Sequence, residues 1–388
     1  MRKRFWGVTA VSASLLILAA GSWFRPEDAH PDAPLPALAV VEGEGISAAL
    51  LPPQPGLTAL PMRITGRAAA GREGAVLQEW PGFHASARFE GREVWVRFAD
   101  GINRWRVVLD GGRSARIEIA PPESQDLHLQ GLGPGPHEIR VEKLSESHRP
   151  ASFGGIFVQR AAAAPLPAPQ PAPRLIEFIG DSDTVGFANG ASRRDCSEAE
   201  VFAQTDTSRS FGPQLAQTLG ADYRIIARSG IGLVRNYGGA TPEATMRDLY
   251  ALALPGEPEA ARLPQPVADI IVTGLGSNDF GSTLTPAEPW ADMAALGRDF
   301  GPALTEFLRA RARENPGALQ VLLAFGEYGA PLVDAYRQTL RSLQADGTRA
   351  VLVVLPRLER TACFWHPSAA DHALMADSLA AAIRAAGL

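Results

Sequence analysis

Cysteine is nearly absent from this 388-residue chain: only Cys196 and Cys363 occur, which excludes a disulfide-dense scaffold and a cysteine-built zinc module. An excess of positive charge is also missing. Lys and Arg number 37 against 42 Asp and Glu, a formal charge of −5, and beyond Arg2-Lys3-Arg4 no run of like charge appears. Nucleic acid, which selects basic patches or stripes, is therefore not an expected partner. No glycine-rich phosphate cradle follows a strand-like run, so no nucleotide is expected. His84, His128, His137 and His148 are scattered without ligand spacing, and neither a metal nor any other cofactor is assigned.

Long apolar runs are scarce, with one exception. Residues 5–24 are uncharged, contain "LLILAA", follow the basic triplet, and offer Ala19 and Gly21 at small-residue positions. Residues 1–21 read as a secretory signal, with an uncleaved membrane anchor as the competing reading. Either way the bulk of the chain is expected to be exported, to a periplasmic or extracellular location, with membrane contact only if the segment stays in place. Losing Arg2, Lys3 and Arg4 would take the charge from −5 to −5 − 3 = −8.

Residues 22–56 are rich in Pro and Ala and read as a spacer. Residues 57–160 alternate with period two: "REVWVRFADG" puts Val94, Val96 and Phe98 on one face, and "NRWRVVLDGG" does the same for Trp105, Val107 and Leu109. With regularly placed glycine turns, this predicts an all-β sandwich or jelly roll. The stretch "AAAAPLPAPQPAP", residues 161–173, reads as a linker. From residue 174 to 388 the pattern changes. The compact apolar runs "RLIEFIG", "YRIIARSG", "ADIIVTGLGS", "LQVLLAFG" and "RAVLVVLP" suit strands buried on both faces, and helical patterns separate them. A doubly wound α/β domain with a parallel sheet follows, its active crevice at the carboxyl ends of the strands.

Those ends carry chemistry. The first strand stops at Gly180-Asp181-Ser182, offering a serine hydroxyl that needs a base and an acceptor for developing charge. The second ends in "RSGIG", with the Gly230 N–H in a tight turn. The third ends in "GLGSNDF", with the Asn278 amide. The loop before the last helix holds "CFWHPS", with the His366 imidazole. Nucleophile, two donors and base occur in chain order, one per loop, on one edge of one sheet.

Gly180-Asp181-Ser182, Gly230, Gly276-Ser277-Asn278-Asp279 and His366 together resemble the SGNH (GDSL-type) hydrolases. Within them the chain is similar to carbohydrate esterase family 2, exported acetyl esterases that place a jelly roll before the SGNH domain. The resemblance runs from about residue 57 to the end, through "WPGFHASARFEG", "HEIRVEKLSES", "FGGIF", "GADYRIIARSGIGLVRNYGG" and "HPSAADHALMA". It implies a serine esterase acting on O-acetylated polysaccharide or oligosaccharide. Ser182 would be the nucleophile and His366 the general acid–base. The N–H groups of Ser182 and Gly230 and the Asn278 amide would form the oxyanion hole, with Asp181 and Asp279 in support. Asn236 and Tyr237 would line the site, and Trp365 is placed either to stack on a sugar ring or to serve as core or wall.

One departure matters. The family's aspartate, three or two residues before the histidine, is replaced by Cys363 or Phe364. Some members resemble this chain in working as a Ser–His dyad whose imidazole is held by a backbone carbonyl; Asp371 or Glu327 would be the alternative carboxylates. The missing acid also admits a non-catalytic carbohydrate-binding protein with a vestigial site, and a lipase or thioesterase on longer acyl chains is a third reading. Cys196 and Cys363 fall in loops on the same sheet edge, so a disulfide between them would tie the base loop to the nucleophile side.

Overall fold

The computed structural model describes residues 38–43 and 45–388. The segment read as a signal lies outside the described residues, and among those described no helix is long and apolar enough to cross a membrane. Among the described residues, the first half forms two antiparallel sheets, each of seven strands, facing one another. Val94, Val96 and Phe98 from strand Glu93–Ala99 and Trp105, Val107 and Leu109 from strand Trp105–Leu109 are all fully buried between them. The Trp105 ring lies 5.5 Å from Phe98, 5.6 Å from Phe153 and 6.0 Å edge-on from Phe83, so it is the aromatic centre of this core. Its indole N–H donates to the buried Asp100 at 3.0 Å, which satisfies the one polar atom the ring carries inward.

Two expected boundaries are corrected here. Residues 22–56 are not all spacer: Leu38–Glu42 pairs with Ala115–Ile119, and Ser47–Leu51 pairs with Asp126–Gln130, each at an outer edge of its sheet. Likewise Ala163–Pro165, inside the expected linker, pairs with residues 89–91. Edge strands need only one covered face and tolerate proline where the N–H faces solvent, so small residues and Pro suffice there.

The second half builds a five-stranded parallel sheet from β1 (Leu175–Gly180), β2 (Asp222–Ala227), β3 (Ile270–Gly274), β4 (Leu319–Phe325) and β5 (Ala350–Leu355), in the order β2-β1-β3-β4-β5. All residues of β1, β3 and β4 are buried, as their nearly continuous apolar runs suggest. Phe178 and Ile225 face Phe211 and Leu215 of α3 (Phe211–Leu219) and Met375 and Leu379 of α8 (Ala369–Ala385). Ile179 and Ile226 face Phe300 and Leu304 of α6 (Met293–Glu314) and Leu332 and Tyr336 of α7 (Ala330–Ala345). The chain leaves β1 for β2 on one side and returns to β3 on the other, so a crevice opens at the carboxyl ends of β1 and β3. The architecture is therefore an α/β parallel-sheet domain preceded by an all-β sandwich.

Polar side chains lock the two halves. Glu177, buried in the middle of β1, accepts from Arg67 of the sandwich at 3.5 Å, from the Arg224 Nε–H, and from the Tyr250 hydroxyl at 2.6 Å. Trp80 of the sandwich is buried in the same cluster as α6 and donates to the Leu252 carbonyl at 3.1 Å. Glu177→Ala would leave two buried guanidinium groups without their carboxylate. A loss of about 3–5 kcal/mol is expected, read from the denaturant midpoint; a loss under about 1 kcal/mol would show that the buried ion cluster is not a determinant of stability.

Candidate active site

The Ser182 side begins where β1 meets α1 (Ser182–Val185). A side chain at Gly180 would sit 1.9 Å from Thr184 Oγ1, so only glycine lets the strand turn at once into the helix. Asp181 caps that helix: Oδ1 accepts the Asp183 N–H at 3.0 Å, and Oδ2 accepts the Ser277 hydroxyl at 2.5 Å, tying the ends of β1 and β3 together. Burial, and then the neighbouring Asp183 charge, push the Asp181 carboxyl well above the usual carboxylate range. Ser182 is 6% exposed and opens the helix, where a backbone N–H has no acceptor within the helix.

Beyond β2, Gly230 sits at φ 77°, a left-handed turn that favours glycine. The following loop winds around Asp279, whose carboxylate accepts from Leu233 N–H at 3.0 Å, Val234 N–H at 2.8 Å and Arg235 N–H at 3.0 Å. Burial nevertheless pushes that carboxyl up to about 6. Asn278 donates one amide N–H to the Ile231 carbonyl at 2.8 Å, which fixes the amide plane and leaves its second N–H uncommitted by that bond. Asn236 stands inside this loop rather than on a wall: it is buried, its oxygen accepts from Gly232 at 2.8 Å, and its amide donates to Thr241 and Ala244 carbonyls. Tyr237 and Trp365 are exposed, at 43% and 62%.

His366 lies between β5 and α8. Its Nδ1 is 2.9 Å from the Cys363 carbonyl, which can only accept, so Nδ1 carries the proton and Nε2 presents a lone pair. The Phe187 ring lies 4.3 Å from the imidazole. Burial lowers the histidine below its ordinary value, opposed by the Asp183 charge and the Cys363 bond. Neither alternative carboxylate touches the ring. Asp371 caps α8 and accepts from Glu359, Arg360 and Ser368 N–H groups at 2.9–3.0 Å, and Glu327 pairs with Arg360 Nε at 2.5 Å. His372, inside α8, is buried and accepts the Phe211 N–H at 3.2 Å; burial takes it down to about 4.

The loop carrying His366 is strained and heavily braced. Arg360, Phe364 and Trp365 have φ of 50°, 52° and 64°, a region that costs an L-residue about 1–3 kcal/mol. Five ties to the loop after α1 hold it there. Cys196 and Cys363 form a disulfide, with Cα atoms 5.6 Å apart. Arg194 accepts the Phe364 N–H at 2.8 Å and donates to the carbonyls of Arg360 at 2.8 Å and Glu359 at 2.9 Å, and its guanidinium lies 3.7 Å from the centre of the Trp365 ring. On the other side Arg360 grips Asp183 through both terminal nitrogens, at 3.0 and 2.7 Å, and reaches the Trp365 carbonyl at 3.3 Å. Although burial alone would raise it, that guanidinium holds the Asp183 carboxyl below its usual range. Asp183, Arg194, Arg360 and Phe187 were not anticipated. Only Asp183, beside the serine, had a sequence signal.

Among the described residues no cluster of His, Cys, Asp or Glu is disposed to hold a metal. Ser182, Asn278 and the His366 imidazole are all buried or partly buried, and His366 carries its proton on Nδ1. Arg360→Met would strand the buried Asp183 charge and free the Trp365 carbonyl. A loss of about 3–5 kcal/mol in unfolding free energy is expected; an unchanged denaturant midpoint would mean the pair does not brace the loop.

The family model for the carbohydrate esterase 2 N-terminal domain matches residues 64–169. The acetylxylan esterase / glucomannan deacetylase of Cellvibrio japonicus (strain Ueda107) is 32% identical over 325 residues, 82% of this chain and 89% of that one. Among solved structures, a carbohydrate esterase described as having divergent catalytic and non-catalytic binding functions in its active site superposes with a TM-score of 0.77 at 30% identity, covering 84% of this chain and 98% of its own. A family two carbohydrate esterase from Clostridium thermocellum, in complex with cellohexaose, does so with a TM-score of 0.68 at 25% identity, over 82% and 97% of the two chains.

Proposed function

Because the chain belongs to carbohydrate esterase family 2 and is a carboxylic ester hydrolase, we propose that it is an exported enzyme that removes O-acetyl groups from a polysaccharide or oligosaccharide through a Ser182–His366 dyad. The observation that carries the dyad reading is the bond from His366 Nδ1–H to the Cys363 carbonyl, which supports Nε2 as the proton acceptor. In this reading Nε2 takes the Ser182 proton as Oγ attacks the acetyl carbonyl. The tetrahedral oxyanion is received by the N–H groups of Ser182 and Gly230 and the Asn278 amide. As the acetyl C–O bond breaks, the imidazolium of His366 gives its proton to the sugar oxygen, which departs as a hydroxyl and leaves acetyl-Ser182. Water, deprotonated by the same nitrogen, releases acetate and restores the serine. A carbonyl stabilises imidazolium less than a carboxylate does, and the ionised Asp183 adds a compensating negative charge nearby. Export rests on the basic triplet and uncharged run at the start of the chain.

The disulfide supports the same reading. Closing a separation of 167 residues stabilises the folded state by about 5 kcal/mol in the chain-entropy model, and its position at Cys363 puts that constraint on the residue whose carbonyl orients the base.

A second reading is favoured by the missing aspartate and by the exposed Trp365: a carbohydrate-binding protein with a vestigial site. Hydrolysis of aryl acetate, butyrate and octanoate separates the possibilities, with Ser182→Ala as control. Acetate-selective turnover lost in the variant is expected. Absence of turnover favours the binding protein, and preference for octanoate a lipase or thioesterase.

Asn278→Ala should lower kcat by about 100- to 1000-fold without unfolding the chain; a rate within a few-fold of the parent would remove the amide from the oxyanion hole. Burial disfavours imidazolium, so the free base persists to lower pH than for an ordinary histidine. The acid limb of kcat/KM should therefore inflect below about 6.5, with activity rising through it and level above. An inflection at or above that value would contradict the assignment of His366 as a buried base.

A further inference from the structure

The loop after sandwich strand Pro136–Lys143 carries Glu146 across the seam to the catalytic sheet. One carboxylate oxygen accepts the Ser229 backbone N–H at 2.7 Å and the other accepts the Ser229 hydroxyl at 2.5 Å. His148 Nε2 stands 3.1 Å from the first of these oxygens. The loop itself is built rigidly. Lys143, fully buried, donates to Gln78, to the Glu79 carbonyl and to Ser147, each at 2.7 Å, and the Leu144 carbonyl accepts the Thr207 N–H at 2.9 Å from the catalytic side. Ser229 immediately precedes Gly230. The neighbouring Arg228 is also reached from the sandwich, by Glu79 at 3.7 Å.

We propose that Glu146 is a positioning residue for the oxyanion hole, so that the β-sandwich is part of the catalytic apparatus. The inference rests on the reading of Gly230 as an oxyanion donor. The Gly230 N–H belongs to the peptide joining Ser229 to Gly230, and that plane turns only through Ser229 ψ and Gly230 φ. The peptide before it is held by Glu146 through the Ser229 N–H. The peptide after it is held through the Gly230 carbonyl, which accepts the Tyr237 N–H at 3.0 Å. Gly230 has no Cβ to restrict it at φ 77°, so without both anchors the peptide is free to swing and aim its N–H away from the reacting carbonyl. His148 and the two Ser229 donors outweigh the effect of burial and hold the Glu146 carboxyl at about 2, so it accepts throughout the working pH range.

The test uses the full chain with Glu146→Ala, Glu146→Gln and Ser182→Ala, followed by amide hydrogen exchange and aryl acetate turnover. In Glu146→Ala, exchange at residues 229–231 should accelerate by about tenfold or more, as for loss of a charge-assisted hydrogen bond. The sandwich core should stay protected, and kcat should fall by about 10- to 100-fold with KM little changed. Glu146→Gln keeps one accepting oxygen and should recover part of both. Unchanged exchange at 229–231, or parental kcat in Glu146→Ala, overturns the proposal. So does a loss of protection spread evenly over both halves, which would make Glu146 a docking residue only. If Ser182→Ala keeps parental turnover, the esterase reading falls instead, while the exchange data still decide whether Glu146 sets the Ser229–Gly230 peptide.

Discussion

One hydrogen bond bears the weight of the site: the imidazole of His366 donates through Nδ1 to the carbonyl of Cys363, three residues back. A carbonyl is a fixed dipole with no net charge, so it orients the ring only as well as the backbone carrying it is held. That requirement explains the density of ties on residues 359–366. The disulfide seizes the residue whose carbonyl is used, Arg194 secures the backbone on either side of it, and Arg360 joins the loop to the helix opened by Ser182. Left-handed backbone at Arg360, Phe364 and Trp365 persists because these neighbours over-determine it. A backbone held this firmly orients the ring without a charged partner.

A similar substitution runs along the seam between the halves. Arg106 of the sandwich reaches Asp206 at 2.6 Å and Ser208 at 2.7 Å, and Arg104 donates to the Thr205 carbonyl at 2.9 Å. With the Glu177 cluster and Glu146, these make the contact specific in angle as well as in place, because charged groups buried away from water tolerate few arrangements. A hydrophobic seam would resist separation but would permit sliding. A seam of paired ions transmits position from one core to a loop on the other.

Much of this was legible in the chain. Period-two alternation identified the facing rows at Val94, Val96 and Phe98 and at Trp105, Val107 and Leu109, and compact, nearly continuous apolar runs identified the parallel strands. Burial on one face or on both leaves different marks. The edge strands Leu38–Glu42, Ser47–Leu51 and Ala163–Pro165 left none, since small residues in Pro-rich surroundings look like spacer until a partner strand is known. Ser182, Gly230, Asn278 and His366 stood out because each lies just past a strand end or just before a helix. Arg360 did not: nothing in "LPRLERTACFWHPS" separates it from Arg357, which is exposed, whereas Arg360 is buried against Asp183. Glu146 is one of three glutamates at four-residue spacing in "HEIRVEKLSES", and its partner lies 83 residues away in another domain. Pairings across such separations are properties of the folded chain, not of local pattern.

Whether His366 can receive the serine proton depends on which of its imidazole nitrogens holds the proton in the resting protein. Heteronuclear NMR on protein labelled with nitrogen-15 histidine, with the His366 signals assigned by their loss in His366→Gln, reads this directly. A protonated Nδ1 in slow exchange, with an unprotonated Nε2, is the predicted result near neutral pH. A protonated Nε2 on the neutral ring would leave nothing there to receive the serine proton and would contradict the account.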